Sequence, residues 1–191
     1  MKLNDFIQVV PTLPAACCEN LITSYHEHFD KHVKNNNSIQ KFTELNYNQC
    51  ASKEQMDRLV KRLKIAINTY TDVHCPTGSR FFPQKYGIEE FRIKCYNDEG
   101  DCFRQHVDVG DLNSSRRFLA FLFYLNDDFD GGSTMFRTPE QKLVQPQRGN
   151  CLIFPPTWQY PHEGKPVTCG TKYIMSTYLH YVWYPPLNSQ Y

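Results

Sequence analysis

Residues 162–181 read HEGKPVTCGTKYIMSTYLHY, and this stretch decides the fold. Gly170 marks a turn, and the apolar residues that follow it predict a long strand. Upstream of this stretch, shorter apolar runs recur between turn residues such as Gly, Asn and Asp, which is typical of consecutive strands. Such a set of strands folds best as two facing sheets in a jelly roll. The predicted strands span 88–96, 102–109, 117–125, 133–137, 143–145, 150–154 and 171–183.

Three side chains in this region can converge on one metal ion. His106 and Asp108 are two residues apart, and side chains on a strand alternate between its faces, so both point the same way. His162, from a distant strand, would complete a set of two imidazoles and one carboxylate, which is typical of non-haem Fe(II) oxygenases. An isolated His-x-Asp tripeptide is more often a surface turn or a hydrogen-bonded polar pair. The ordered series of strands around it favours the metal.

The first half of the chain is predicted to supply helices. One helix is expected over 14–34, and a second, amphipathic helix is expected to begin at the capping-box residues Ser52 and Gln55. Short strands are expected at 5–10 and 41–47.

The predicted fold class is α+β and mainly β, with a double-stranded β-helix (jelly-roll) core buttressed by N-terminal helices. We expect a single domain over 1–191, with a helical support region at 1–87 and a jelly-roll catalytic core at 88–183.

Composition narrows the function classes. The net charge of +1 gives no electrostatic footprint for strong nucleic-acid binding. No apolar run approaches the length of a membrane span, and the first residues do not resemble a signal peptide. The eight cysteines contain no Cys-x-x-Cys pair, so we expect free thiols and a reducing, cytoplasmic location.

The residues of 88–183 resemble the prolyl 4-hydroxylase branch of the Fe(II)/2-oxoglutarate dioxygenases. The final motif is the most specific, because it joins a histidine, a Pro-Val pair, a glycine and a lysine at the family's spacing. The motifs that carry the resemblance are RIKCY (92–96), HVD (106–108), RFLAFLFYLND (117–127), GGSTMF (131–136), GNCLIF (149–154) and HEGKPVTCGTKYIMSTYLHY (162–181).

The resemblance implies Fe(II), 2-oxoglutarate and O2 as cofactor and co-substrates, with ascorbate as a candidate additional cofactor. By position, the iron ligands and catalytic residues would be His106, Asp108 and His162. The residues that would bind 2-oxoglutarate are Lys172 and Tyr96 at its C5 carboxylate, Thr134 beside it, and Tyr178, which stands where the family commonly has tryptophan. An ordinary aromatic strand residue is the alternative for Tyr96.

Two further positions bear on the substrate. In the peptidyl-prolyl enzymes of this family, a residue that matches Arg117 contacts the peptide near the target proline, and one that matches His180 also touches the peptide. A solvated cation at the end of a strand is the alternative for Arg117. The chain departs from the family pattern at Tyr178, in a slightly longer turn before His106, and at Arg104-Gln105. These departures bear on the substrate more than on the chemistry.

The resemblance therefore implies hydroxylation of a peptidyl substrate, with proline converted to 4-hydroxyproline while 2-oxoglutarate is decarboxylated to succinate. A proline-containing peptide or protein is the expected partner, and neither a membrane nor a nucleic acid is expected. One alternative is a 2-oxoglutarate oxygenase that acts on another protein side chain, a small molecule or a nucleic-acid base. Another is a jelly-roll binding module without catalysis. The oligomeric state stays open.

Overall fold

A computed structural model describes residues 2–74, 82–98 and 100–182. Two α-helices lie in the first range, α1 at Ala15–Glu27 and α2 at Lys53–His74. The strands within the described ranges are β1 Gln8–Pro11, β2 Val33–Asn36, β3 Gln40–Asn46, β4 Tyr86–Ile88, β5 Arg92–Asn97, β6 Cys102–His106, β7 Arg117–Tyr124, β8 Asp130–Gly131, β9 Thr134–Phe136, β10 Lys142–Val144, β11 Asn150–Phe154, β12 His162–Gly164, β13 Val167–Cys169 and β14 Thr171–Tyr181.

The long helix α2 begins at a reciprocal cap, as the sequence predicts. The backbone N–H of Ser52 donates to Oε1 of Gln55 at 2.7 Å, and the N–H of Gln55 donates to Oγ of Ser52 at 3.2 Å. Both bonds use N–H groups that a helix start leaves without partners. The apolar face of α2, which includes Leu59, Leu63 and Ile67, is buried against the sheet.

The first helix is shorter than the predicted 14–34. It ends at Glu27, and the side chain of His28 turns back so that Nδ1 lies 2.8 Å from the carbonyl oxygen of Ser24. The chain then forms β2, which pairs with β3, so the segment satisfies its backbone groups through a ladder instead of a longer helix.

Most strands form one curled antiparallel sheet in the order β1-β11-β7-β14-β5-β3-β6-β12-β9-β10. The curl depends on β3, because Thr43–Asn46 pair with β5 while Gln40 and Lys41 pair with β6. One strand therefore joins the two halves of the jelly roll. The predicted fold class is confirmed.

The two faces of the central strands bury different clusters. On β7, Phe121 and Phe123 pack in the cluster that includes the helices, whereas Ala120 and Tyr124 pack inside the curl. On β14, Met175 belongs to the helical side and Ile174 to the inner side. This alternation places the inward side chains of β5, β7 and β14 in one interior.

The remaining differences from the predicted elements are local. The predicted strand 102–109 ends at His106, and the predicted strand 171–183 is observed to Tyr181, with residue 183 outside the described residues. Residues 75–81 also lie outside them, and the described chain resumes shortly before β4. Strands from the predicted support region, β1 to β3, pair within the main sheet. No helix within the described ranges is long and apolar enough to cross a membrane.

Candidate metal and co-substrate site

Two neighbouring strands bring the two histidines together. His106 ends β6 and His162 begins β12, and the two residues are direct partners across this antiparallel pair. Asp108 lies two residues beyond His106, past the end of the strand. Nε2 of His106 is 3.4 Å from Oδ1 of Asp108, and Nε2 of His162 is 3.7 Å from Oδ2. The three ligand atoms all lie within 4.8 Å of one another, which is close enough to hold one ion.

The segment that carries Asp108 is held in place although it is no longer in the strand. The N–H of Val109 donates to the carbonyl oxygen of Pro156 at 3.1 Å, and Nη1 of Arg117 donates to the carbonyl oxygen of Asp108 at 3.1 Å. The sequence predicts that the strand continues through residues 107–109. Instead, these two hydrogen bonds hold this segment.

The histidine rings are oriented by backbone carbonyls, a detail that the sequence does not reveal. Nδ1 of His106 lies 2.7 Å from the carbonyl oxygen of Arg104, and Nδ1 of His162 lies 3.1 Å from that of Tyr160. A carbonyl only accepts, so each Nδ1 carries the proton and each Nε2 keeps its lone pair. Both free lone pairs face Asp108, as metal-binding imidazoles require.

The charges of the set suit a divalent cation. Burial raises the pKa of Asp108, but His162, His106 and Lys94 together outweigh burial, and the net pKa lies below the usual range. Burial lowers the pKa of His162, although Asp108 opposes the shift. At neutral pH the set therefore offers an ionised carboxylate and a neutral His162 imidazole. This donor chemistry fits Fe(II).

Aromatic side chains pack around the histidines. The Phe103 ring stacks on His106 with centroids 3.5 Å apart, and Phe154 meets His162 edge-on at 4.8 Å. These contacts restrict the rings to the orientation set by their hydrogen bonds.

Lys172 is a buried cation, only 3% exposed. Its Nζ donates to the carbonyl oxygen of Gly132 and lies 5.4 Å from the centre of the Tyr96 ring. Burial lowers the pKa of Lys172 to about 7. Within the described residues no carboxylate lies within ion-pair distance of this ammonium group, so the pocket around it is suited to an anion.

Gly132 makes room for this lysine. Its φ is +61°, and a Cβ at this position would lie 2.7 Å from the Phe129 ring and 3.0 Å from Cδ of Lys172. Any larger residue in the GGST turn would therefore disturb both the backbone and the lysine.

A single cavity, here called the site cavity, connects the side chains of His106, Asp108 and His162 with Lys172. Its wall also includes Tyr96, Thr134 and Tyr178. The structure thus brings together the predicted metal and co-substrate residues. Burial, followed by the nearby Asp108, raises the pKa of Tyr178, so its hydroxyl stays protonated at neutral pH.

Tyr124 is a further residue of this region that the sequence reasoning missed. It is fully buried, and its hydroxyl lies 2.9 Å from Oγ1 of Thr134. The signal was available, because Tyr124 shares the inward face of β7 with Ala120.

The predicted substrate residues both face one glutamate, Glu89. Arg117 donates two hydrogen bonds to Glu89, from Nε to Oε1 at 2.7 Å and from Nη2 to Oε2 at 2.8 Å, and its guanidinium lies 4.1 Å from the Tyr178 ring centre. Nδ1 of His180 is 3.8 Å from Glu89. Glu89 lies between β4 and β5, where no periodicity signals its role. Arg117 is therefore an ion-paired residue and not a free strand-end cation.

Lys94 is the other unpredicted residue of the site. It is 9% exposed and lies on β5, two residues before Tyr96 on the same face. It lines the site cavity together with His106 and Asp108. The alternation of β5 could have revealed it.

Comparison with known proteins supports the same chemistry. Residues 91–180 match the family model described as the 2OG-Fe(II) oxygenase superfamily. A protein of Acanthamoeba polyphaga mimivirus, provisionally named a prolyl 4-hydroxylase, is 26% identical over 153 residues, which cover 76% of this chain and 57% of that protein.

A rat protein, the multifunctional procollagen lysine hydroxylase and glycosyltransferase LH3, is 28% identical over 108 residues. The match covers 54% of this chain and 14% of LH3. The chain thus spans less than two thirds of these curated relatives.

The fold also matches solved structures. A prolyl hydroxylase from Trichoplax adhaerens, in complex with a hypoxia inducible factor oxygen degradation domain peptide fragment, superposes with a TM-score of 0.70 at 15% identity. The superposition covers 92% of this chain and 84% of that one. At this identity the likeness speaks for the jelly-roll fold.

Proposed function

We propose, because this chain belongs to the 2OG-Fe(II) oxygenase superfamily and is prolyl 4-hydroxylase-like, that it hydroxylates peptidyl proline at C4. In the balanced reaction, a prolyl C–H group, O2 and 2-oxoglutarate give 4-hydroxyproline, succinate and CO2. The observation that carries the proposal is one cavity that joins a histidine–aspartate–histidine set to a buried lysine without an anionic partner.

In this proposal His106, Asp108 and His162 hold Fe(II). When bound, the iron supplies oxygen activation coupled to decarboxylation of the keto acid. The chain supplies the positions: the carbonyls of Arg104 and Tyr160 keep each Nε2 free for the metal. The single carboxylate leaves the site with a net charge of about one unit, and three ligands leave open positions.

Lys172 is proposed to bind the distal carboxylate of 2-oxoglutarate. An ammonium–carboxylate contact in a buried pocket is stronger than one at the surface. The rings of Tyr96 and Tyr178 would form the walls, and Thr134, held by Tyr124, would offer a hydroxyl. The co-substrate then enters in one orientation, with its keto acid end toward the histidines.

Arg117 and His180 are proposed to contact the peptide. Arg117 lies next to Asp108 and Tyr178, Glu89 fixes its guanidinium in place, and His180 faces the same glutamate. A guanidinium that is already oriented loses little further freedom when it binds a peptide carbonyl.

A second candidate target is a peptidyl lysine. The similarity to a procollagen lysine hydroxylase is the observation that favours it. A small molecule, a nucleic-acid base and a non-catalytic module have no comparable support.

Mass spectrometry tests the proposal. Peptides would be incubated with the protein, Fe(II), 2-oxoglutarate and O2, and examined for the gain of one oxygen atom. A collagen-like repeat, a non-repetitive proline peptide and a lysine peptide would be compared side by side. We expect oxygen on proline together with matching succinate, and neither with Asp108→Ala. Oxygen on lysine alone would establish the second candidate, and succinate at the same rate from Asp108→Ala would remove the metal assignment.

Ascorbate belongs to the proposal as the reductant that keeps the iron ferrous, and parallel assays with and without it test this role. We also propose a reducing cytoplasmic location, which is supported by free thiols on the seven cysteines within the described residues.

A further inference from the structure

The starting observation is the environment of Lys94. Its side chain is buried, and Nζ lies 5.1 Å from the Phe42 ring centre and 5.5 Å from that of Phe103. Within the described residues it forms no hydrogen bond and no ion pair, and the groups beside its ammonium are these two rings. Burying an ammonium group without a paired anion is costly.

Lys94 lies where two spaces meet. A polar groove at the entrance, here called the mouth groove, is lined by Gln40, Glu44, Glu89, Arg92, Arg117 and Ser176, among others. Lys94 lines both this groove and the site cavity, as do His106 and Asp108. A group bound to Lys94 would therefore be next to the position where chemistry is proposed to occur.

The other cations of the mouth groove already have partners. Arg92 pairs with Glu44 at 3.2 Å and with Glu90 at 2.6 Å, and Arg117 pairs with Glu89. Lys94 differs from both, because no carboxylate lies within 4.0 Å of it in the described residues. The carboxylates that act on Lys94 from beyond ion-pair distance are Glu44, which is already paired with Arg92, and Asp108, which a bound divalent cation would itself neutralise.

We propose that Lys94 binds a carboxylate of the substrate and thereby selects peptides with a negative charge next to the target residue. The inference rests on the proposed function and specifies its substrate class. The co-substrate is a weaker candidate for this lysine, because Lys172 already serves its distal carboxylate and the metal would take its keto acid end.

Two sources could present the carboxylate, an acidic side chain next to the proline or a free C-terminal carboxylate on it. Four fluorescent peptides separate these sources: proline followed by glutamate or by glutamine, and a terminal proline with a free or an amidated carboxyl group. Binding would be measured by anisotropy to protein loaded with Mn(II) and 2-oxoglutarate, and oxygen incorporation by mass spectrometry with Fe(II).

We expect about tenfold tighter binding of at least one carboxylate peptide than of its neutral partner. Lys94→Met should abolish this preference, and Lys94→Gln should reduce it, because glutamine donates a hydrogen bond without charge. Lys34→Met, which removes an exposed lysine on β2, is the matched control and should keep the preference.

Equal binding of charged and neutral peptides by the unaltered protein would overturn the inference, and this comparison needs no variant to fold. A Lys94→Met variant that keeps the preference but loses affinity for 2-oxoglutarate, by calorimetric titration, would also overturn it. Failure of the proposed function looks different, since no peptide would then gain oxygen whatever its charge.

Discussion

Asp108 is the carboxylate that faces both histidine rings, and its ionised state depends on them. The backbone carbonyl oxygen of Asp108 also accepts a hydrogen bond from the guanidinium of Arg117, so the proposed metal ligand is in direct contact with the proposed substrate-binding cation. Substitutions of single residues should allow three quantities to be measured separately: the affinity for the metal, the affinity for 2-oxoglutarate, and the yield of hydroxylated peptide relative to succinate.

Asp108→Asn should weaken metal binding, because an amide oxygen carries no charge to balance the cation. The loss should exceed the roughly 10- to 100-fold that removal of an outer hydrogen-bond partner costs. Calorimetric titration with Mn(II) measures it. Asp57→Asn, on an exposed part of α2, is the matched control, and equal affinities for the two variants would remove Asp108 from the ligand set.

Lys172→Met should lower the affinity for 2-oxoglutarate by about 10- to 100-fold, the range for a lost hydrogen bond to a charged group. The metal should still bind, because Lys172 does not belong to the proposed ligand set of His106, Asp108 and His162. Titration of Mn(II)-loaded protein with 2-oxoglutarate checks this, and an unchanged affinity would contradict the assigned role.

Arg117→Met should reduce peptide hydroxylation while 2-oxoglutarate is still decarboxylated without peptide. The expected reason is the loss of a cation oriented by Glu89 at the entrance. Succinate and hydroxylated peptide would be quantified in the same reactions. An equal fall in both products would mean that Arg117 serves only to hold the Asp108 segment.

Among the elements, a strand could be predicted from the sequence where polar and apolar residues alternate along it or where its residues form a continuous apolar run. β3, β7, β11 and β14 lie close to the predicted spans, because each carries several buried residues between clear turns. Short pairs such as β8 with β13 carry too few residues for a periodic signal. The end of α1 was missed because residues 33–36 prefer a partner strand, which is a tertiary effect that no local pattern records.

The same limit applies to the site. The metal and co-substrate residues lie in recognisable motifs, whereas Glu89 lies in a connection and becomes relevant only when β4 and β5 bring it to Arg117. Lys94 and Tyr124 were within reach, since each shares a strand face with a residue already singled out or buried in the same interior.

The cap of α2 permits a test of the helical support. Ser52→Ala should destabilise the protein by about 1 kcal/mol, because the N–H of Gln55 loses its acceptor. Urea denaturation followed by circular dichroism measures the change in unfolding free energy. Ser115→Ala, at an exposed turn serine, offers a comparison, and equal stability of the Ser52 variant and the unaltered protein would contradict the role of the cap.

For the whole molecule, the buried Lys172 predicts a pH dependence of stability without ligands. Its pKa is about 7 in the folded protein and 10.5 without burial, so between these values the unfolded chain binds more protons than the folded one. Unfolding free energy should therefore rise with pH across this window. Below this pH window Lys172 is protonated in both the folded and the unfolded state, so the folded protein carries the full free-energy cost of burying the charge.

Lys172→Met should remove that rise. The variant should be more stable than the unaltered protein near pH 7, and the difference, on the order of a few kcal/mol at most, should shrink toward pH 10. Urea denaturation of both proteins at several pH values checks this. If the unfolding free energy depended on pH in the same way in both proteins, burial would not lower the pKa of Lys172.

We propose that residues 1–191 fold as a single domain, and β3 gives that proposal a consequence. The family match begins only at residue 91. β3, at residues 40–46, precedes the match, yet it pairs with both β5 and β6 and so joins them in the sheet. A fragment cut at the boundary of the match would retain every metal-binding side chain but lose the strand that closes the roll around them. We therefore expect residues 91–180 alone not to hold the geometry of the proposed site, because strands that lie before the family match complete the sheet around it.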